Sequence, residues 1–206
     1  MNELWEEWAA HYRRLGIAEG LITRDGPADE AAYRRAKPRI VFVLKESNDW
    51  PGHSLSEAMV PPIRMMIMLA RWAYGLLHDF PPFESADQSE NRASAVRRVA
   101  AVNLKKAAGG PAADRTVTAT FARQDAALLH RQLAELAPEM LVACGTWDPL
   151  LSLLGDQPPG NGKKCVIRDP RYGALVVPMR HPARANARRT YEDLRSLMAD
   201  AKAGGI

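Results

Sequence analysis

The feature that most constrains the fold is a set of short apolar runs, rich in β-branched residues, that each open directly into polar sequence. Ile40-Val41-Phe42-Val43-Leu44 is the clearest. It follows Pro38 and runs straight into Lys45-Glu46-Ser47-Asn48-Asp49-Trp50-Pro51-Gly52-His53. Met140-Leu141-Val142-Ala143-Cys144 leads into Gly145-Thr146-Trp147, and Ala174-Leu175-Val176-Val177-Pro178 leads into Met179-Arg180-His181-Pro182. Runs this short, with no polar alternation, fit strands buried on both faces. Residues 95–106 read as a further strand, with a polar and basic exit at Asn103-Leu104-Lys105-Lys106.

Helical periodicity fills the intervals. Leu4, Trp5, Trp8, Tyr12 and Leu15 recur on one face and predict a helix over 3–15. Residues 28–36 form a short helix stopped before Pro38, after a turn at Asp25-Gly26-Pro27. Ser54 with Glu57 three residues on is a capping-box pattern, and Pro61-Pro62 breaks the helix it opens. Residues 63–77, 121–136, 149–154 and 187–202 complete the helices, with a hairpin edge around Cys165-Val166-Ile167. Strands alternating with helices predict an α/β protein, a three-layer α/β/α sandwich around a central, mostly parallel four-stranded sheet. A length of 206 residues fits a single domain, with residues 1–37 as an N-terminal helical extension.

Composition narrows the function classes. Apolar residues make up 47% of the chain, which excludes a disordered one. Cys144 and Cys165 are too few for a zinc or iron–sulfur site built on cysteine, so no metal, metal cluster or cofactor is expected. The first residues carry neither a basic nor an apolar signal region, and no run is long enough to span a bilayer. A soluble, cytoplasmic protein is the expectation. The net charge of +4 allows a polyanionic partner, and its clustering says more than its size.

The polar clusters follow the strands. In a parallel sheet all such exits share one rim, the rim where open α/β sheets bind ligands. Glu46, Asn103 and His181 can therefore converge although they lie far apart in sequence. Arg180, Arg184, Arg188 and Arg189 crowd the His181 turn. Read structurally, His181 caps a turn and the arginines solvate a helix face. The repetition of polar exits on one rim favours a site.

The order of these parts resembles the uracil-DNA glycosylase superfamily over roughly residues 38–200. The resemblance rests on Val43-Leu44-Lys45-Glu46-Ser47-Asn48, on Val102-Asn103-Leu104-Lys105 with the helix from Gln124-Asp125 to Leu136 and Ala137-Pro138 before the 140–144 strand, and on Val176 to Pro182 with its His-Pro pair. The chain departs from that pattern in three places. Lys45 stands before Glu46 where the family has Gly, Asn48 stands where it has Pro, and Ala183 follows His-Pro where it has Ser.

The resemblance implies hydrolysis of the N-glycosidic bond of uracil or a related damaged base in single- or double-stranded DNA. That reaction needs a carboxylate to place water and offset charge on the sugar, for which Glu46 is the candidate, with Asp49 second. It needs a donor to the departing base, which His181 supplies. Asn103 would read the base edge with its paired donor and acceptor. Trp50 would stack on the base, with Lys45 and Asn48 beside it, and Lys105, Lys106, Arg180, Arg184, Arg188 and Arg189 would hold phosphates. The alternatives are a module of the same fold that binds nucleic acid or nucleotide without cleaving it, an enzyme using Lys45 as a Schiff-base nucleophile, and an interaction domain without a site.

Overall fold

The computed structural model describes residues 2–47, 54–59, 64–110, 114–156, 164–183 and 186–206. Asn48, Asp49, Trp50 and Arg184 lie outside them. The described residues form a mixed α/β fold with one six-stranded sheet and the helices α1 (Asn2–Arg14), α2 (Glu30–Arg35), α3 (Leu55–Met59), α4 (Arg64–Leu77), α5 (Phe83–Ala86), α6 (Ser89–Arg97), α7 (Arg115–Gln124), α8 (Ala126–Leu136), α9 (Trp147–Leu154) and α10 (Ala187–Ala203). Its strands are β1 (Gly26–Pro27), β2 (Ile40–Leu44), β3 (Ala100–Asn103), β4 (Met140–Cys144), β5 (Ile167–Arg168) and β6 (Leu175–Met179), in the order β1-β3-β2-β4-β6-β5. Neighbours β3, β2, β4 and β6 pair in parallel. The two-residue strands β1 and β5 pair antiparallel at the outer edges.

Three expectations are corrected. The sheet has six strands rather than four, because Gly26-Pro27 leaves its turn to pair with Ala100 and Ala101. Two residues are too few to show any period, so such edges are set by their neighbours. Second, residues 95–97 do not belong to a strand but close α6 (Ser89–Arg97), whose Ala95 and Val96 are its buried residues. Third, the helix expected over 121–136 is two: α7 (Arg115–Gln124) and α8 (Ala126–Leu136) meet at Asp125. The buried Asp125 carboxylate accepts the Tyr12 hydroxyl at 2.7 Å and meets His11 Nε2 at 2.8 Å, so contact with the N-terminal helix fixes where the chain bends.

Strand alternation feeds two cores. Ile40, Phe42 and Leu44 of β2 face a cluster with α4 (Arg64–Leu77), α6 and α10 (Ala187–Ala203). Val41 and Val43 face the other, with α1 (Asn2–Arg14), α8 and α9 (Trp147–Leu154). Leu4, Trp5, Trp8 and Tyr12 are buried in that second core, so the N-terminal helix is part of the core rather than an appendage. Among the described residues no helix is long and apolar enough to cross a membrane.

One buried charge ties these pieces together. Lys106 is wholly buried, and its ammonium donates to Asp25 Oδ2 at 2.8 Å, to the Asn103 carbonyl at 2.8 Å and to Gln132 Oε1 at 2.7 Å. The rings of Trp8 and Trp5 lie 5.1 and 5.8 Å from it. Asp25 also accepts the Asn103 amide and Gln132 Nε2, each at 2.7 Å. Burial pushes the Lys106 pKa down, and Asp25 opposes that shift. Removing one member of such a pair strands the other charge in the core. Asp25→Ala is therefore expected to destabilise the fold by about 3–5 kcal/mol in urea unfolding. A loss below about 1 kcal/mol, the scale of an exposed pair, would contradict this assignment.

Candidate functional site

The connection from β2 to β3 runs through helices on one face, and the connection from β3 to β4 runs through α7 and α8, with α8 on the other. The chain leaves β2 and β4 in opposite directions, and such a reversal leaves a crevice beyond the carboxyl ends of the strands. A cleft of about 780 Å³ lies there, lined by Lys45 after β2, Gly145 after β4 and His181 after β6. Helices α7, α9 and α10 supply its remaining walls. Gly145 has φ +71°, and a Cβ there would come within 3.2 Å of His181 N and Cβ. Its own amide donates to the Met179 carbonyl at 2.8 Å. Only glycine lets the β4 exit approach the His181 backbone this closely. Thr146 bonds Val43 O at 2.8 Å instead of capping α9, and so ties the β4 exit to β2.

His181 is half-buried. Its Nδ1 accepts the Ala183 amide at 3.2 Å, which leaves the proton of the neutral ring on Nε2. Burial first, and the charge of Lys45 second, lower its pKa below the ordinary value. The ring is thus a neutral N–H donor at pH 7.

Glu46 is placed differently. Its side chain is 3% exposed and ion-paired with Lys105, whose own side chain is 9% exposed. Gly109 covers the carboxylate so closely that a Cβ there would lie 2.5 Å from Oε1. Lys105 also sits 5.3 Å from the Phe121 ring. Lys105 is placed away from an expected phosphate contact: the ammonium is turned inward and its charge is used by Glu46.

Asn103 ends β3 in register with Leu44. The residue is 1% exposed, and among the described residues neither its Oδ1 nor its Nδ2 has a hydrogen-bond partner. Ser47 Oγ, on the neighbouring exit, is likewise buried and unpartnered. Leaving a buried amide unpaired costs about 1–3 kcal/mol, a cost an arriving ligand can recover. Asn103 and Glu46 share the rim with His181 but do not line the cleft. Three strand spacings of about 4.8 Å separate β3 from β6, which puts Asn103 and His181 on the order of 14 Å apart along the rim.

Of the expected phosphate ligands, Arg180 lines the cleft, 4.0 Å from Asp193. Arg188 is engaged away from it: the guanidinium pairs with Glu84 and lies 4.6 Å from the Phe83 ring centroid. Arg189 is exposed on the first turn of α10. The cleft instead takes Arg115 and Arg123 from α7 and Lys164 beside α9. Their signal was a pair of arginines eight residues apart on a helix with no acidic residue, hidden because residues 115–120 fell outside the expected helix. Among the described residues no group of three or more His, Cys, Asp or Glu side chains is arranged to hold a metal. No family model matches the chain, and no curated protein matches it.

The placement of Lys45 makes a direct prediction. Titrated by NMR, His181 should show a midpoint below 6.5, and Lys45→Met should move it part of the way back up, since burial remains. Because the folded value is the lower one, neutral His181 favours the fold above pH 6.5, and that contribution is lost as pH falls through the folded pKa. A midpoint above 6.5 would contradict the placement.

Proposed function

We propose that this chain is a uracil-DNA glycosylase-like protein of the cytoplasm, a three-layer α/β/α sandwich, which binds nucleic acid at the carboxyl rim of its parallel strands and acts on a base turned out of the stack. The observation that carries the reading is Asn103, a buried side-chain amide with both polar atoms unpaired at the end of β3. A base edge offers an acceptor beside a donor, the complement of that amide. The neutral His181 donor and the cationic cleft support the same reading, since a departing base is an anion and the backbone is a polyanion; a base held by Asn103 meets His181 when it lies between the two strand ends, with the two side chains covering the rest of the roughly 14 Å. In this reading the N-glycosidic bond is hydrolysed, with Glu46 orienting the water.

One observation favours a second reading, binding without cleavage. Lys105 already neutralises Glu46 under the cover of Gly109, which leaves the carboxylate less able to offset positive charge on a sugar.

An oligonucleotide carrying one uracil, incubated with the protein and then treated with alkali, separates the two. Strand scission is expected, slowed by about 10²–10³ in His181→Ala, the typical cost of losing one donor of this kind. Tight binding without scission would establish the second reading instead. Asn103→Ala should abolish base discrimination while leaving the melting temperature unchanged or raised, because an unpaired amide does not stabilise the apo protein. A melting temperature that falls by many degrees would make Asn103 a structural residue.

A further inference from the structure

We propose that a single strand of nucleic acid lies along the α7 side of the cleft, its phosphates held by Arg115 and Arg123 with Lys45 and Arg180 opposite, and not over the arginines that open α10. This rests on the nucleic-acid reading above and assigns the path of the strand within it.

Helix α7 presents Arg115, Ala119 and Arg123 to the cleft at i, i+4 and i+8, which is a single stripe. The rise of an α-helix spaces the two arginines about 12 Å apart along its axis, with a small residue between them that keeps the stripe open. No residue of α7 itself is acidic. Asp114, just before it, is occupied by the Thr116 and Val117 amides at 2.7 and 3.0 Å. Its carboxylate therefore fills the helix N-terminus, and anion binding falls to the arginine side chains.

The cleft as a whole carries five cationic side chains against two carboxylates, Asp148 and Asp193. Among the described residues those two approach Lys164 and Arg180, at 3.9 and 4.0 Å. Arg115 and Arg123 are exposed. On the α10 side two of the arginines are paired: Glu84 holds Arg188, and Glu192 holds Arg195.

The described cleft, about 780 Å³, has room for a nucleotide or two, so a strand that enters it does so unpaired. Apart from His181 the described lining holds no aromatic ring, so among the described residues the contact is with the backbone rather than with stacked bases.

The test is fluorescence anisotropy of a labelled thymidine oligonucleotide, titrated over a range of salt concentrations. Each phosphate contact on a single strand contributes about 0.7 to the slope of log affinity against log salt, so Arg115→Ala/Arg123→Ala should weaken binding and lower the slope by about 1.4. Arg188→Ala/Arg189→Ala should leave the slope unchanged. These side chains are exposed, and matching thermal melts would show that the variants keep the fold. An unchanged slope in the α7 variant, or the loss appearing in the α10 variant, would overturn the proposed path and leave the nucleic-acid reading standing. Equal binding of a blunt duplex, with the same dependence on α7, would overturn the single-strand assignment. Absence of wild-type binding at low salt would overturn both this path and the reading on which it rests.

Discussion

The buried Lys106–Asp25 pair is the interaction on which the rest of the structure depends. A charge this deep is tolerated only because every proton of the ammonium has a partner, and those partners come from the residue before β1, from β3 and from α8. Trp5 and Trp8 lie beside it and bring α1 onto the same core. The Lys106 amide donates to Tyr12, whose hydroxyl reaches Asp125 at the break between α7 and α8. The same pair thus fixes the direction in which the chain leaves β3 and sets up the packing that turns α7 toward the rim.

That direction makes the rim asymmetric. Lys106 points into the core and Lys105 into Glu46, so the β3 exit carries no outward positive charge from either. The charge that faces solvent lies further along the rim, where Lys45, Arg180 and the α7 arginines surround His181. The β3 end is instead marked by an unpaired amide and hydroxyl, Asn103 and Ser47. One end of the rim is suited to hydrogen-bond an uncharged, planar group. The other is suited to hold an anion.

Much of this was legible in the chain. The run 40–44 could only be a buried strand, and β2 occupies those residues. The polar exits fall on one rim because the strands they follow are parallel, and parallel pairing follows from the helices between them. The side chains were less legible than their positions. Lys105 and Lys106 are adjacent and basic, which reads as a phosphate contact, yet both are consumed by carboxylates distant in sequence, 59 and 81 residues away. Nothing local distinguishes a lysine that faces solvent from one that a remote Asp draws into the core. Arg188 was lost from the site in the same way, to Glu84 and Phe83. The break at Asp125 was hidden because Gln124-Asp125-Ala126 is acceptable within a continuous helix, and only the contact with His11 and Tyr12 selects the bend.

In the proposed function the unpaired amide of Asn103 receives a base. A crystal structure of the protein with a single-stranded oligonucleotide containing one uracil tests it most directly. The account predicts the uracil edge within hydrogen-bonding distance of both Oδ1 and Nδ2 of Asn103. A bound strand whose base sits elsewhere, with the Asn103 amide still unpaired or closed by a neighbouring side chain, would contradict it.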